Sequence, residues 1–422
     1  MKKNHTAGGR ISKGKAIGIS FLVLALAVLL FLAAIFMPWG TANSGTSFAA
    51  PSTVSSLPLA VSSSEPEPQP QTLSLSFSAV GDNLIHDGIY LQARSRAGGD
   101  GYDFSYVYEN LSYFFKEYNV SWINQETLVN NELAPSSYPT FSTPGQLGQA
   151  AYDAGWRVFA LSNNHTYDKG ATGIAATRRF WQQMPEDTVV YGLYENDADD
   201  SSIVLQEKNG ITLAYLAYTE HTNGLPTPQG AEAHVIYTSD TATMERQVRR
   251  ARELADAVIV TVHWGVEGSH AVTQAQRNLA GQYAAWGADV IIGTHPHVIQ
   301  PVEWIENPED GRKVLVAYSL GNFLSAQAAA NNMVGLALTY NITQTVEPDG
   351  TRQPVSIENV KVYPTVTHYD AAYGNIRDYM YRDYTEELAA QHGVRARYSA
   401  FSKQYITELV QQYISSEFLV LE

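Results

Sequence analysis

Short apolar stretches that break off into polar residues of the metal-ligand type recur along this chain, and they constrain its fold more than any other feature. Residues 73–80 (Leu-Ser-Leu-Ser-Phe-Ser-Ala-Val) alternate with period two, as a strand does, and run into Gly81-Asp82-Asn83-Leu84-Ile85-His86-Asp87. Residues 120–123 run into Asn124-Gln125-Glu126, and residues 157–161 into Ser162-Asn163-Asn164-His165-Thr166-Tyr167-Asp168. Residues 257–262 run into His263-Trp264-Gly265-Val266-Glu267, and residues 290–292 into Gly293-Thr294-His295-Pro296-His297. Some of these stretches are continuously apolar, the pattern of strands buried on both faces. Residues 143–154, 171–183, 241–255 and 273–286 have helical composition and spacing. Residues 203–206 and 211–218 flank Asn209-Gly210, a strong hairpin signal. A second hairpin is expected from residues 298–306 and 313–319, turning through residues 307–311. The order predicts an α/β domain with mixed sheets.

Ligands of α/β sheets bind beyond the carboxyl ends of the strands. Five of the eleven histidines fall in these five strand-end segments, which cover few residues. Taken singly, each motif has an ordinary reading. Gly-Asp after a strand also makes a turn, and Asn-Asn-His also serves as a helix cap followed by a surface histidine. His295-x-His297 on an extended segment would point both rings the same way, toward one metal site or two adjacent ones. Together the five motifs predict a metal-type site. With no cysteine in the chain, His, Asp, Glu and Asn donors suit one or two divalent ions of Mn, Fe, Zn or Mg. Glu267 either orients His263 or is a surface carboxylate. Ser319 lies outside any Gly-x-Ser-x-Gly elbow, which argues against a serine hydrolase, and its segment reads as a tight turn with Asn322 lining the site. Tyr218, Glu220 and His221 either line the pocket or belong to a loop.

The flanks set the setting. Residues 17–37 form an uncharged apolar run of about 31 Å as a helix, enough for a hydrocarbon core of roughly 30 Å. Lys2, Lys3, Arg10, Lys13 and Lys15 precede it, and no Lys or Arg follows until Arg94, which places the following chain outside the cytoplasm. A cleaved leader would have an apolar core of about 7–15 residues, so an uncleaved single-pass anchor is expected; small residues near Ala42 and Ala49 are where cleavage would otherwise fall. The expected organisation is a basic segment (1–15), the anchor (16–39), a Ser/Pro-rich linker (40–72), a folded domain (73–384) and a C-terminal helical segment (385–422). Extended at ~3.1 Å per residue, the linker spans on the order of 100 Å. The net charge is −15 although five cations sit before the anchor, which argues against nucleic acid as a partner.

Six blocks in order carry a family resemblance: Gly81-Asp82; Asn124-x-Glu126; Asn163-Asn164-His165 with Asp168; His263-Trp264-Gly265-x-Glu267; Gly293-x-His295-Pro296-His297 with Gln300-Pro301; and Tyr318-Ser319-Leu320-Gly321-Asn322-Phe323. Over residues 75–338 the chain resembles the CapA family, the poly-γ-glutamate capsule synthesis proteins of bacteria. The resemblance implies a variant of the calcineurin-type metallophosphoesterase fold, a sandwich of two mixed sheets flanked by helices. It implies Asp82 and His297 on a first metal, Glu126 bridging, Asn164, His263 and His295 on a second, and His165 as the general acid or the group that stabilises the leaving oxygen, with Asp168 also catalytic. His86, Glu267, Gln300 and Asn322 are expected to line the site. Two departures stand out. Such phosphoesterases usually carry Asp-x-His in the first block, and here Leu84 occupies the histidine position. The bridging place holds Glu126, one methylene longer than Asp. The implied function is capsule or surface-polymer synthesis, export or attachment at the cell membrane, with an anionic polymer or wall precursor and capsule-synthesis membrane proteins as partners. A metal-dependent phosphodiesterase, an amidohydrolase and a non-catalytic polymer-binding protein are the alternatives.

Overall fold

The computed structural model describes residues 69–196 and 202–422. The expected anchor and nearly all of the linker lie outside these residues. Among the described residues no helix is long and apolar enough to cross a membrane. The strands are β1 (Gln71–Asn83), β2 (Val120–Gln125), β3 (Val129–Asn130), β4 (Thr143–Pro144), β5 (Val158–Ala160), β6 (Val189–Tyr191), β7 (Val204–Lys208), β8 (Ile211–Thr219), β9 (Ala257–His263), β10 (Val290–Thr294), β11 (Val302–Glu306), β12 (Lys313–Ala317), β13 (Asn322–Leu324), β14 (Val334–Val346), β15 (Ser356–His368) and β16 (Arg377–Met380). The helices are α1 (Asp87–Arg96), α2 (Ser105–Tyr108), α3 (Ser112–Phe115), α4 (Gln146–Ala154), α5 (Gly170–Trp181), α6 (Thr241–Leu254), α7 (Gln274–Trp286), α8 (Glu386–Gln391) and α9 (Lys403–Tyr413).

Two mixed sheets form the frame. The first runs β16-β15-β14-β1-β2-β5-β6, with β13 also paired to β1; the second runs β11-β12-β10-β9-β8-β7. In the first, β1, β2, β5 and β6 are parallel, and β14, β15 and β16 add as an antiparallel meander. In the second, β8, β9, β10 and β12 are parallel between the antiparallel edges β7 and β11.

The period-two pattern shows why the sheets stack. Leu213, Tyr215 and Ala217 of β8 join the core that contains Phe77, Trp122 and Phe159 of the first sheet. Their neighbours Ala214, Leu216 and Tyr218 pack instead against Met244 and Val248 of α6 and Tyr283 and Ala284 of α7. β9 divides the same way, Ile259 to the shared core and Val258 and Val260 to the helices. Both faces of the second sheet are therefore covered, which accounts for its continuously apolar strands.

Four expectations are corrected. The helix expected over 143–154 begins at Gln146, because Thr143-Pro144 pairs with β3. The arm expected over 298–306 becomes a strand only at Val302, after Pro301. The domain begins at Gln71, as β14 pairs with β1 from that residue. Residues 385–422 are part of the same core: Ile406, Val410, Ile414 and Phe418 are buried in it, and Val362 of β15 bonds to Phe418 and Val420 through its backbone.

Candidate metal centre

Five strand ends deliver the predicted donors to one place. Asp82 and Asn124 are register partners on β1 and β2, and the Asn124 Nδ2 donates to Asp82 Oδ1 at 2.8 Å. This leaves Asp82 Oδ2 facing His297 Nδ1 at 3.0 Å. The His295 backbone N–H also points at Oδ2, at 3.3 Å. Next along β2, Glu126 is buried, and neither of its carboxylate oxygens has a hydrogen-bond partner. Three imidazole nitrogens face its Oε1: His263 Nε2 and His297 Nε2 at 3.7 Å, and His165 Nε2 at 4.0 Å.

His263 ends β9, and Thr294 Oγ1 lies 2.9 Å from its Nδ1. With Nδ1 protonated toward Thr294, the lone pair of Nε2 faces Asn164 Oδ1 at 3.0 Å and His295 Nδ1 at 3.1 Å. His263 Nε2, Asn164 Oδ1 and His295 Nδ1 thus converge, with Glu126 Oε1 3.7 Å from the first, a donor set that fits a cation. Asp82, Glu126 and His297 place one donor atom each within 4.8 Å of one another, and so do Glu267, His295 and His297. The residues present fit a divalent metal.

Electrostatics separate the histidines. Burial, then neighbouring imidazoles, hold His263 well below the ordinary histidine range and bring His295 down to about 3. Burial opposes charge on His297 too, but Glu126 and the hydrogen-bonded Asp82 raise it to about 9. Glu126 is pushed well above the usual carboxylate range, by burial first. Both shifts favour holding a proton among the acids in the metal-free protein, where a cation would otherwise sit.

His165 takes a different position. Its Nδ1 contacts Asp168 Oδ2 at 2.8 Å, and the same oxygen accepts the Phe141 N–H at 2.6 Å. The Phe141 ring lies edge-on to His165 with centroids 4.6 Å apart. Asn163 braces the turn, its Oδ1 accepting the His165 N–H at 3.0 Å.

Several expectations are revised. His295 and His297 do not lie on extended backbone; both have positive φ, +98° and +58°, in a bend, and their ring centroids are 6.0 Å apart. Such backbone costs on the order of 1–3 kcal/mol per residue and is a mark of functional sites. Glu267 does not orient His263, since Thr294 does. Gln300 is committed elsewhere: its Nε2 donates to the Ser269 and Ala271 carbonyls at 2.8 and 3.2 Å, and its Oε1 accepts from Gln276 at 3.0 Å. Asn322 keeps its place beside the centre as the register partner of Asp82: its Nδ2 donates to Ser325 and Gln327, at 2.9 and 2.8 Å, and its Oδ1 is buried without a hydrogen bond. His86 Nδ1 accepts the Ala326 N–H at 3.2 Å, and His86 belongs to neither donor triad. Tyr218 is buried against Gln247, Glu220 holds the Gly265 N–H, and His221 stands edge-on to His295 at 5.0 Å. Asn124 and Thr294 lie in the strand-end segments read from the sequence but had been given no role, and Phe141 was not anticipated. The register of adjacent strand ends could have pointed to Asn124; a loop phenylalanine offers no such signal.

The model of the family described as bacterial capsule synthesis protein PGA_cap matches residues 76–327, which include every residue of this cluster. The chain belongs to that family. Among similar capsule synthesis proteins, the PGA biosynthesis protein CapA of Bacillus subtilis is 30% identical over 190 residues, 45% of this chain and 48% of that one. The capsule biosynthesis protein CapA of Bacillus anthracis is 30% identical over 199 residues, 46% of each. The matched region thus spans about half the length of these relatives. Among solved structures, a hypothetical protein from Thermus thermophilus is 14% identical, with 69% of this chain and 99% of that one covered and a TM-score of 0.38, too distant to bear on function.

Proposed function

We propose that this capsule synthesis protein is a membrane-anchored, extracytoplasmic protein that acts on an anionic surface polymer such as poly-γ-glutamate, or on a wall precursor, through a metal-dependent hydrolase-type site. The observation that carries this reading is Glu126, a buried carboxylate without a hydrogen bond beside three imidazole nitrogens at 3.7–4.0 Å. Asp82, Glu126 and His297 would hold one divalent ion of the Mn, Fe, Zn or Mg type, and Asn164, His263 and His295 a second. Bound metal would supply Lewis acidity and a water of lowered pKa. The chain's own groups do the rest. Asn124 and Thr294 fix the donor atoms of Asp82 and His263 before any ligand arrives. Asp168 holds His165 by Nδ1, so Nε2 is the atom left to exchange a proton with a leaving oxygen. The apolar run over 17–37 and the linker would keep this site near the outer membrane face, where a nascent polymer emerges and membrane partners of capsule synthesis would reside. The acidic chain argues against nucleic acid.

The test has two arms. The purified full chain is assayed for bound metal, then for cleavage of a model phosphodiester and a γ-glutamyl peptide. His295→Ala and His297→Ala are assayed for polymer output in a producing cell. Bound metal, hydrolysis of one substrate class and loss of polymer in both folded variants are expected. A metal-loaded protein inert on every substrate would leave polymer handling without hydrolysis. Polymer output surviving both substitutions would remove the site from the function.

A further inference from the structure

The turn after β9 carries a carboxylate to the solvent side of the histidines. Trp264 is fixed first, its backbone N–H donating to the Thr294 carbonyl at 3.1 Å and its indole N–H to the Tyr318 carbonyl at 2.9 Å. Gly265 then turns at φ +93°, where its N–H donates to Glu220 Oε2 at 2.9 Å. Gly268 turns back at φ +73° and donates its N–H to the Pro296 carbonyl at 2.8 Å. Positive φ suits glycine at both places. Pro296 stands between His295 and His297, so the turn is tied to the segment that bears both histidines. Val266 and Glu267 ride between the two anchored glycines, both exposed.

One Glu267 carboxylate oxygen and one ring nitrogen each of His295 and His297 lie within 4.8 Å of one another. Among the described residues nothing forms a hydrogen bond or salt bridge with that carboxylate, so the backbone of the turn is what holds it there. Its negative charge already acts on Glu126 and His297. Meanwhile β1 brings a single donor, Asp82, because Leu84 two residues on is a buried apolar side chain.

We propose that Glu267 is a metal ligand that completes the centre from its solvent side, together with His295 and His297. The inference rests on the metal-centre reading above and adds a ligand outside the buried set. It also bears on how many ions the centre takes. Three carboxylates, Asp82, Glu126 and Glu267, outweigh the charge of one divalent ion and are outweighed by two. An anionic substrate is therefore admitted by a two-ion centre and repelled by a one-ion centre.

The experiment is a Mn²⁺ titration of the full chain in detergent, stripped with chelator, with free Mn²⁺ followed by electron paramagnetic resonance. Glu267→Gln is expected to lose one bound ion or to weaken binding roughly tenfold or more, and Glu267→Asp to recover part of it. The metal-free melting temperature of both variants is expected to match wild type, since the side chain is exposed. If Glu267→Gln binds Mn²⁺ with wild-type number and affinity, Glu267 is not a ligand, and the centre without it stands. If the wild-type chain binds none of Mn²⁺, Zn²⁺, Fe²⁺ and Mg²⁺, the metal-centre reading falls and takes this inference with it.

Discussion

Glu126 is costly to the metal-free fold. A carboxylate buried without hydrogen bonds is destabilising when charged, and burial accordingly moves its pKa well above the usual range, with Asp82 adding to the effect and His297 opposing it. An acid whose pKa is raised by folding keeps a proton that the unfolded chain has released. Its penalty is absent below the unfolded pKa of about 4.3 and grows as pH rises above it. Glu126→Gln is therefore expected to leave the metal-free protein at least as stable at pH 8, while abolishing the rise in melting temperature that added Mn²⁺ gives wild type. Melts with and without Mn²⁺ decide it; a lower metal-free melt for the variant would mean that the carboxylate holds the fold. Asp378 on β16, outside the donor set, poses the same problem. It is fully buried, neither oxygen has a hydrogen bond of good geometry, and burial pushes its pKa well above the carboxylate range, with the nearby Thr367 hydroxyl opposing the shift. The sign is again a loss of stability as pH rises above the unfolded pKa of about 3.9, at up to roughly 1.4 kcal/mol per pH unit until the folded pKa is reached. Asp378→Asn keeps the shape without the charge. Urea unfolding at pH 5 and pH 8 is expected to show the variant gaining on wild type at the higher pH, and an equal difference at both would refute the assignment.

The strand ends work as donors because glycine lets neighbouring backbone come close just before them. A Cβ at Gly81 would meet the Gly321 carbonyl oxygen at 1.9 Å, and one at Gly293 the Tyr318 carbonyl oxygen at 2.0 Å and the Trp264 indole nitrogen at 2.4 Å. Backbone cannot yield as a flexible side chain can. Gly293→Ala is therefore expected to cost about 3 kcal/mol or more in urea unfolding and to displace His295 and His297 enough to lose metal. A variant with wild-type stability would show that the two strands can separate at no cost. At this scale much was legible. The period-two run before Asp82 and the apolar runs before Glu126, His263 and His295 announced both the strands and where they end. What escaped notice lacked a local signal. β14 and β15 are long strands, but β15 mixes charged and apolar residues at its exposed start, as Ser356-Ile357-Glu358-Asn359 shows, and only pairing with β14 fixes its register. The bend at His295-Pro296-His297 escaped as well, because positive φ at histidine is imposed by tertiary contacts such as the Gly268 hydrogen bond to Pro296.

At the scale of the whole molecule, the last residues decide whether the domain stands. The sequence reads as a C-terminal helical segment after residue 384, either packed on the domain or a tail, with no motif that points back to the site. Hydrophobic spacing supplies the missing link: Ile406, Leu409, Val410, Ile414 and Phe418 are all buried in the core that the two sheets share. Chain reversal after α9 then lets residues 418–420 pair alongside β15 through Val362. β15 pairs with β14, and β14 with β1, whose last residues include Asp82. The C-terminal segment thus supports the outer strands of the sheet on which Asp82 stands. Burying five apolar side chains at ~1.5–3 kcal/mol each contributes on the order of 10 kcal/mol, comparable with the ~5–15 kcal/mol stability of a typical domain. Truncation after residue 384 is therefore expected to yield a chain that is degraded or aggregates, with no cooperative melt and no metal binding, rather than a trimmed domain. Circular dichroism melts and limited proteolysis of the truncated chain, compared with wild type under the same conditions, check this. A truncated chain that melts cooperatively and keeps its Mn²⁺ would mean that the sheets close their core without α9, and would restore the segment to the status of an appendage.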